Sequence, residues 1–246
     1  MRKFLYLPVL AVALTVSVRC KNPESEKLPP QAKNEALSVE KAIEDHIETG
    51  NKKKPVDFLP KGYVLFEEVY GDLNNDGLKD CIVIIKATDK DNIILDENRR
   101  KSDRNRRGII VVFKTKNDDY RLIVENDNCF SSENEEGGNY YAPELMVYVE
   151  KGNLFIHYAH GYWKYTFRLK GSDFQLIGYD ASDNHGPVVN NETSINYLTG
   201  KKQYKENTNS NADSGEEVFE ESWSKIPNQK PVMLSQIKDF DEFEVP

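Results

Sequence analysis

The chain has 246 residues, 38% of them apolar and 30% charged, with a formal net charge of −8. Those figures suit one globular domain with or without a tether and exclude wholesale disorder. An acidic surface of this kind repels nucleic acid, so no nucleic-acid partner is expected.

The one long apolar run is Phe4 to Val18, behind the basic pair Arg2–Lys3. It is short for a membrane span and has the charged leader of a secretory signal, so residues 1–19 are predicted to be a signal peptide. Cys20 stands where such a segment ends, followed by Lys21–Asn22–Pro23. The run Ser17–Val18–Arg19–Cys20 resembles the lipobox of bacterial lipoproteins, with Arg19 in place of the usual small residue. That resemblance implies a lipid on Cys20, a membrane partner through the anchor, and an outer-membrane or periplasmic location. The alternative is ordinary cleavage, secretion and an unmodified thiol. Three cysteines in an exported chain need a parity explanation. Lipidation of Cys20 leaves Cys81 and Cys129, which are expected to form a disulfide or to be two buried reduced side chains. A bridge would close a loop of about 48 residues, worth roughly 4 kcal/mol in the chain-entropy account.

Residues 20–35 are Pro-rich and polar and read as a tether. Ala36, Leu37, Val39, Ala42, Ile43 and Ile47 recur at helical spacing before Gly50, predicting a short amphipathic helix over about 36–49. From about 62 to 206 the signal turns to strands: Tyr63–Tyr70, Asp80–Lys86, Gly108–Lys114, Tyr120–Glu125, Met146–Glu150, Leu154–Ala159, Lys164–Lys170, Phe174–Tyr179 and Ser194–Leu198. Their short spacing, with turns such as Lys151–Gly152–Asn153 and Gly171–Ser172–Asp173, favours an antiparallel meander over βαβ units. Tyr165, Phe167 and Leu169 should face a core while Lys164, Thr166, Arg168 and Lys170 face water. Residues 206–217 are low-complexity and predicted mobile. The tail from Val218 is expected to pack back through Phe219, Trp223, Ile226 and Val232. Leu234, Ile237, Phe240 and Phe243 suggest a closing helical turn. The basic run Arg99, Arg100, Lys101, Arg104, Arg106 and Arg107 reads as a solvated loop or a docking patch for an anionic glycan or lipid head group. The expected architecture is mainly β, one or two propeller-like blades or a small sandwich, in a single domain over 36–246.

One stretch carries metal chemistry. From Gly71 to Asp80 the sequence places oxygen side chains at alternate positions, Asp72, Asn74 and Asp76, then Gly77, the backbone carbonyl of Leu78, and Asp80. Calcium takes six to eight oxygens, and a tightly wound loop with a glycine at its sharp turn offers them. The stretch resembles the calcium loop of FG-GAP and VCBS-type repeats, a GDxNxDGxxD element feeding an apolar strand, here Cys81–Ile85. The resemblance covers about 25 residues and implies a structural ion. An EF-hand fits less well, because Val83 stands where a bidentate Glu is required. A tight Asx-rich turn without an ion is the alternative. The stretches ending in LIGYD (Leu176–Asp180) and containing NYLTGK (Asn196–Lys201) also resemble uncharacterised exported bacterial lipoproteins, which implies a location rather than a reaction.

Other motifs fail on their own terms. Ser38–Lys41 fits SxxK and Ser182–Asn184 fits SDN, but no KTG follows. His157 and His160 are three apart, which on a strand sends them to opposite faces. Asp180, Asp183 and His185 cluster in sequence and could form a polar site. Tyr140, Tyr141, Tyr162 and Trp163 could stack on sugars, although core packing is the better account of them. The expected function is an envelope-anchored or secreted binding or structural module with a calcium loop and a protein or glycan partner. A hydrolase of envelope or extracellular polymers, using carboxylates around Asp180–His185, is the alternative.

Overall fold

Strands form at Tyr63–Gly71 (β1), Asp80–Ala87 (β2), Ile93–Leu95 (β3), Lys101–Asp103 (β4), Arg107–Lys114 (β5), Tyr120–Phe130 (β6), Leu145–Glu150 (β7), Asn153–Tyr158 (β8), Trp163–Lys170 (β9), Asp173–His185 (β10), Val188–Asn196 (β11), Lys201–Asn207 (β12) and Phe219–Lys225 (β13). The structure is a computed structural model that describes residues 50–95, 99, 101–134, 144–158, 162–209 and 211–245. The signal peptide, Cys20 with its tether, the helix expected over 36–49, His160, Tyr140 and Tyr141 lie outside the described residues.

The protein is mainly β and its sheets are antiparallel. Sheet 1 has the order β1-β2-β5-β6; sheet 2 runs β13-β12-β11-β10-β9-β8-β7, every strand beside its chain neighbour; β3 and β4 form a separate hairpin. β2 and β5 read as unbroken apolar runs because both of their faces are covered. Ile82, Ile84, Ile109 and Val111 join Leu154, Ile156, Tyr165, Phe167, Phe174 and Leu176 of sheet 2 in one core. On the other face, Cys81, Val83, Ile85, Ile110 and Val112 meet Phe58 and Tyr120 in a second, smaller core. A 3-10 turn at Pro55–Phe58 supplies that cover. Sheet 2 has one dry face only, so β8 alternates strictly, with Leu154, Ile156 and Tyr158 buried. Tyr165 and Phe167 are buried as the alternation predicts, and Leu169 packs against the same core.

The two sheets touch closely at one corner. A Cβ added to Gly71 at the end of β1 would overlap the Val149 side chain of β7, reaching Cγ1 at 2.6 Å. Only a glycine lets the backbone come that near.

Two expectations change. Cys81 and Cys129 are free thiols, not a disulfide. Cys81 lies in the smaller core and Cys129 in the main one, on opposite faces of sheet 1, so their Cβ vectors point apart. Burial pushes the Cys81 thiol up to about 12 and that of Cys129 upward as well. Phe219 and Trp223 do not pack back on the sheet; they belong to β13, all seven of whose residues are exposed. The expected closing helical turn is present as a 3-10 turn, Leu234–Gln236; Leu234 within it and Ile237 and Phe240 beyond it are buried, with Phe240 stacked on Phe130.

Residues 206 and 207 continue β12, and the connection to β13 is hydrogen-bonded, with Thr208 N–H donating to Val218 O at 2.7 Å and Asn209 Nδ2 to Glu216 O at 3.1 Å.

Candidate functional site

Among the described residues, two assemblies of polar side chains bear on the sequence expectations: the Asp-rich loop between β1 and β2, and the outer face of sheet 2. The loop closes on itself through local bonds. Asp76 N–H donates to Asn74 Oδ1 at 3.0 Å and Leu78 N–H to Asp76 Oδ1 at 2.7 Å, which are Asx turns. Gly77 N–H donates to Asp72 Oδ2 at 2.9 Å. Asn75 and Gly77 take positive φ, 61° and 86°, the backbone region that Asn and Gly enter at least cost. Asp72, Asn74 and Asp76 are thereby gathered around one turn, with Asn74 Nδ2 donating to Asp76 Oδ2 at 2.9 Å.

Asp80 is placed differently from its three neighbours. Its carboxylate is fully buried; Oδ2 accepts Leu73 N–H at 2.9 Å and Oδ1 accepts Lys114 N–H at 3.0 Å. It therefore ties the loop to the far end of β5. Burial pushes its pKa up to about 6, the two N–H donors pull it back, and the charges of Asp76 and Asp72 raise it again. Leu73 plugs the main core at 1% exposure, and the β7–β8 turn sits against the loop, where a Cβ on Gly152 would reach Asn75 Nδ2 at 2.8 Å. The loop is a clasp on both sheets. Among the described residues, no group of three or more His, Cys, Asp or Glu side chains is placed to hold a metal ion.

The outer face of sheet 2 carries the second assembly. Cross-strand pairing puts Met146, His157, Lys164, Asp180, Ser194, Gln203 and Trp223 in one lateral row across all seven strands. With strands ~4.8 Å apart, that row is about 29 Å long. Lys164 Nζ lies 3.3 Å from Asp180 Oδ2, and Ser194 Oγ donates to Asp180 Oδ1 at 2.7 Å. Beside it runs a second row, Ser182, Glu192, Lys205 and Glu221, in which Lys205 Nζ reaches Glu192 Oε2 at 2.9 Å and Gln203 Nε2 donates to Glu221 Oε2 at 2.8 Å. Tyr148 and Phe155 stack face to face at 4.8 Å on the same face, and Lys164 lies 5.9 Å from the Phe155 ring. The middle of both rows, from His157 to Gln203 and from Ser182 to Lys205, lines a concavity of about 490 Å³ together with Tyr148, Tyr162 and Trp163.

The other sequence candidates disperse. Asp180 faces the concavity, whereas Asp183 accepts from Asn190 and Asn191 farther along the hairpin and His185 lines a separate hollow with Asn190 and Tyr204. They do not converge on one point. The C-terminal end of the basic run is spent on the fold, while Arg99 and Lys101 are exposed. Arg107 is 4% exposed, donates to Ser131 O at 2.9 Å and lies over the Phe66 ring, while Arg106 pairs with Asp239 at 2.8 Å. The lateral row was missed because its members come from seven strands with no shared spacing. The only signal available was the wet half of each alternation, which marked Lys164 and left its neighbours unconnected.

No family model matches the sequence, and no curated protein or solved structure is similar to it.

Proposed function

We propose that this chain is an exported, non-catalytic binding module of the cell envelope, anchored through Cys20, whose outer sheet-2 face takes an extended polyhydroxylated polymer. The observation that carries this reading is the seven-residue row. Along it Lys164 and Ser194 both meet the Asp180 carboxylate, Lys205 is paired with Glu192 in the row beside it, and apolar Met146 and Trp223 stand exposed at its two ends. An uncharged glycan suits such a row: its hydroxyls exchange bonds with side chains already held in place, and its C–H faces lie on aromatic rings. The two sheets facing one core favour a sandwich over propeller blades.

Co-sedimentation of the full chain with isolated envelope polysaccharide tests the module. Lys164→Ala with Gln203→Ala removes two polar contacts worth about 1 kcal/mol each, so binding should weaken roughly tenfold or more. Equal retention of the folded double variant and the wild type would overturn this face as the site.

The Asp72–Asp76 turn is read as a structural calcium loop, with Asp72, Asn74, Asp76 and the Leu78 carbonyl as ligands and water completing the shell. Asp80, the last candidate ligand in the sequence, is held by backbone donors and walls the site. Binding to the native state alone contributes about 2.7 kcal/mol at a hundredfold excess over Kd. Calcium should then raise the melting temperature by several degrees, and Asp76→Ala should abolish the response. A melting curve indifferent to calcium from about 1 μM to about 10 mM would leave a plain Asx-rich turn.

A further inference from the structure

We propose that β13 is a self-pairing edge, through which two copies of this chain join their seven-stranded sheets into one. This is independent of the glycan and calcium readings. β13 ends sheet 2, and all seven of its residues are exposed. The ladder to β12 fixes which way its backbone points. Ile226 N–H donates to Gly200 O at 3.0 Å and Thr208 N–H to Val218 O at 2.7 Å, so even-numbered residues bond inward. The N–H and C=O groups of Phe219, Glu221, Trp223 and Lys225 therefore point outward, away from β12.

The occupant that fits is a second β13, run antiparallel about a two-fold axis at Ser222. In that register the outward groups of Phe219 meet those of the partner's Lys225, and the outward groups of Glu221 meet those of the partner's Trp223. All four residues have the correct parity. No like charges stand directly opposite. Lys225 faces its own chain's Lys201 across β12, an unfavourable pair, and gains the partner's Glu221 as a diagonal neighbour. Trp223, 60% exposed, lies diagonal to the partner's Trp223 and opposite the partner's Glu221. Such an interface is isologous and closes on itself. Seven residues of strand make a small contact, so the dimer is weak.

Sedimentation velocity of the full chain, from about 1 μM to about 200 μM, reads the assembly. The wild type should move from monomer to dimer across that range. Glu221→Pro deletes an outward N–H and keeps the ladder to β12, so it should stay monomeric with an unchanged melting temperature. Glu221→Ala, which keeps the N–H, should still dimerise. A monomer at every concentration overturns the proposal. So does a Glu221→Pro variant that dimerises like the wild type, since the contact then lies elsewhere.

Discussion

Asp80→Ala should destabilise the protein by about 3 kcal/mol, through the orphaned donors it leaves behind. The alanine deletes the acceptor of two backbone N–H groups, Leu73 and Lys114, at a residue with no exposed surface. Each buried donor without a partner costs about 1–3 kcal/mol. Relief from burying a carboxylate offsets part of that, because burial already pushes the Asp80 acid up to about 6. For a domain of this size the melting temperature should fall by roughly 10 °C. Asp80→Asn separates the two contributions: its single carbonyl oxygen serves one donor and its amide opposes the other, so about half the loss is expected. The damage should also reach sheet 2, since freeing Leu73 loosens a plug in the shared core. Thermal unfolding followed by near-ultraviolet dichroism measures it. A melting temperature within about 2 °C of the wild type would show that water replaces the carboxylate at no cost.

The Asp80 junction was half legible in the sequence. The alternating oxygens and the glycine announced a tight loop feeding a strand, and both are present. What spacing could not show is that the last carboxylate turns toward Lys114, 34 residues away, instead of toward the turn. The strands with a dry face were legible for the same reason that β8 alternates: burial writes a period of two into the residues. β12 and β13 escaped because every β13 residue is wet and β12 lacks a fully buried position, so no period is imposed. The cysteine pair shows the reverse limit. Parity and compartment argue for a bridge, but only the pleat decides faces, and odd Cys81 falls on the side of Val83 and Ile85, away from Cys129. The arginines at 106 and 107 read as a surface patch because their partners, Asp239 and Ser131 O, are distant in sequence.

Among the described glycines, Gly108 should tolerate an added methyl group least. Gly108 lies where the β5–β6 register breaks: Arg107 pairs with Phe130 and Ile109 with Asn126, so three β6 residues bulge across one glycine. A Cβ there would overlap the Asp127 carbonyl group and reach Asn126 O at 2.5 Å. Both obstacles are backbone, so no rotamer change relieves them. The bulge must move as a unit, and it carries the closing segment with it. Asn126 Nδ2 donates to Leu234 O at 2.9 Å and to Ile237 O at 2.8 Å, and Cys129 O accepts Phe240 N–H at 2.9 Å. Shifting β6 strains all three bonds and lifts Phe240 from its contacts with Phe130 and Tyr165. Overpacking alone costs about 1–3 kcal/mol, and the coupled loss of the tail should bring the total to about 4 kcal/mol or more. Gly178→Ala is the control, because its added Cβ would sit 3.4 Å from Thr166 Cβ, in ordinary contact, and should cost under about 1 kcal/mol. Limited proteolysis distinguishes the mechanism: the Gly108 variant should release the segment after Val232 well before sheet 2 is cut. If instead the tail stays protected and the variant melts like the wild type, the bulge has room to yield and the coupling to Phe240 is absent.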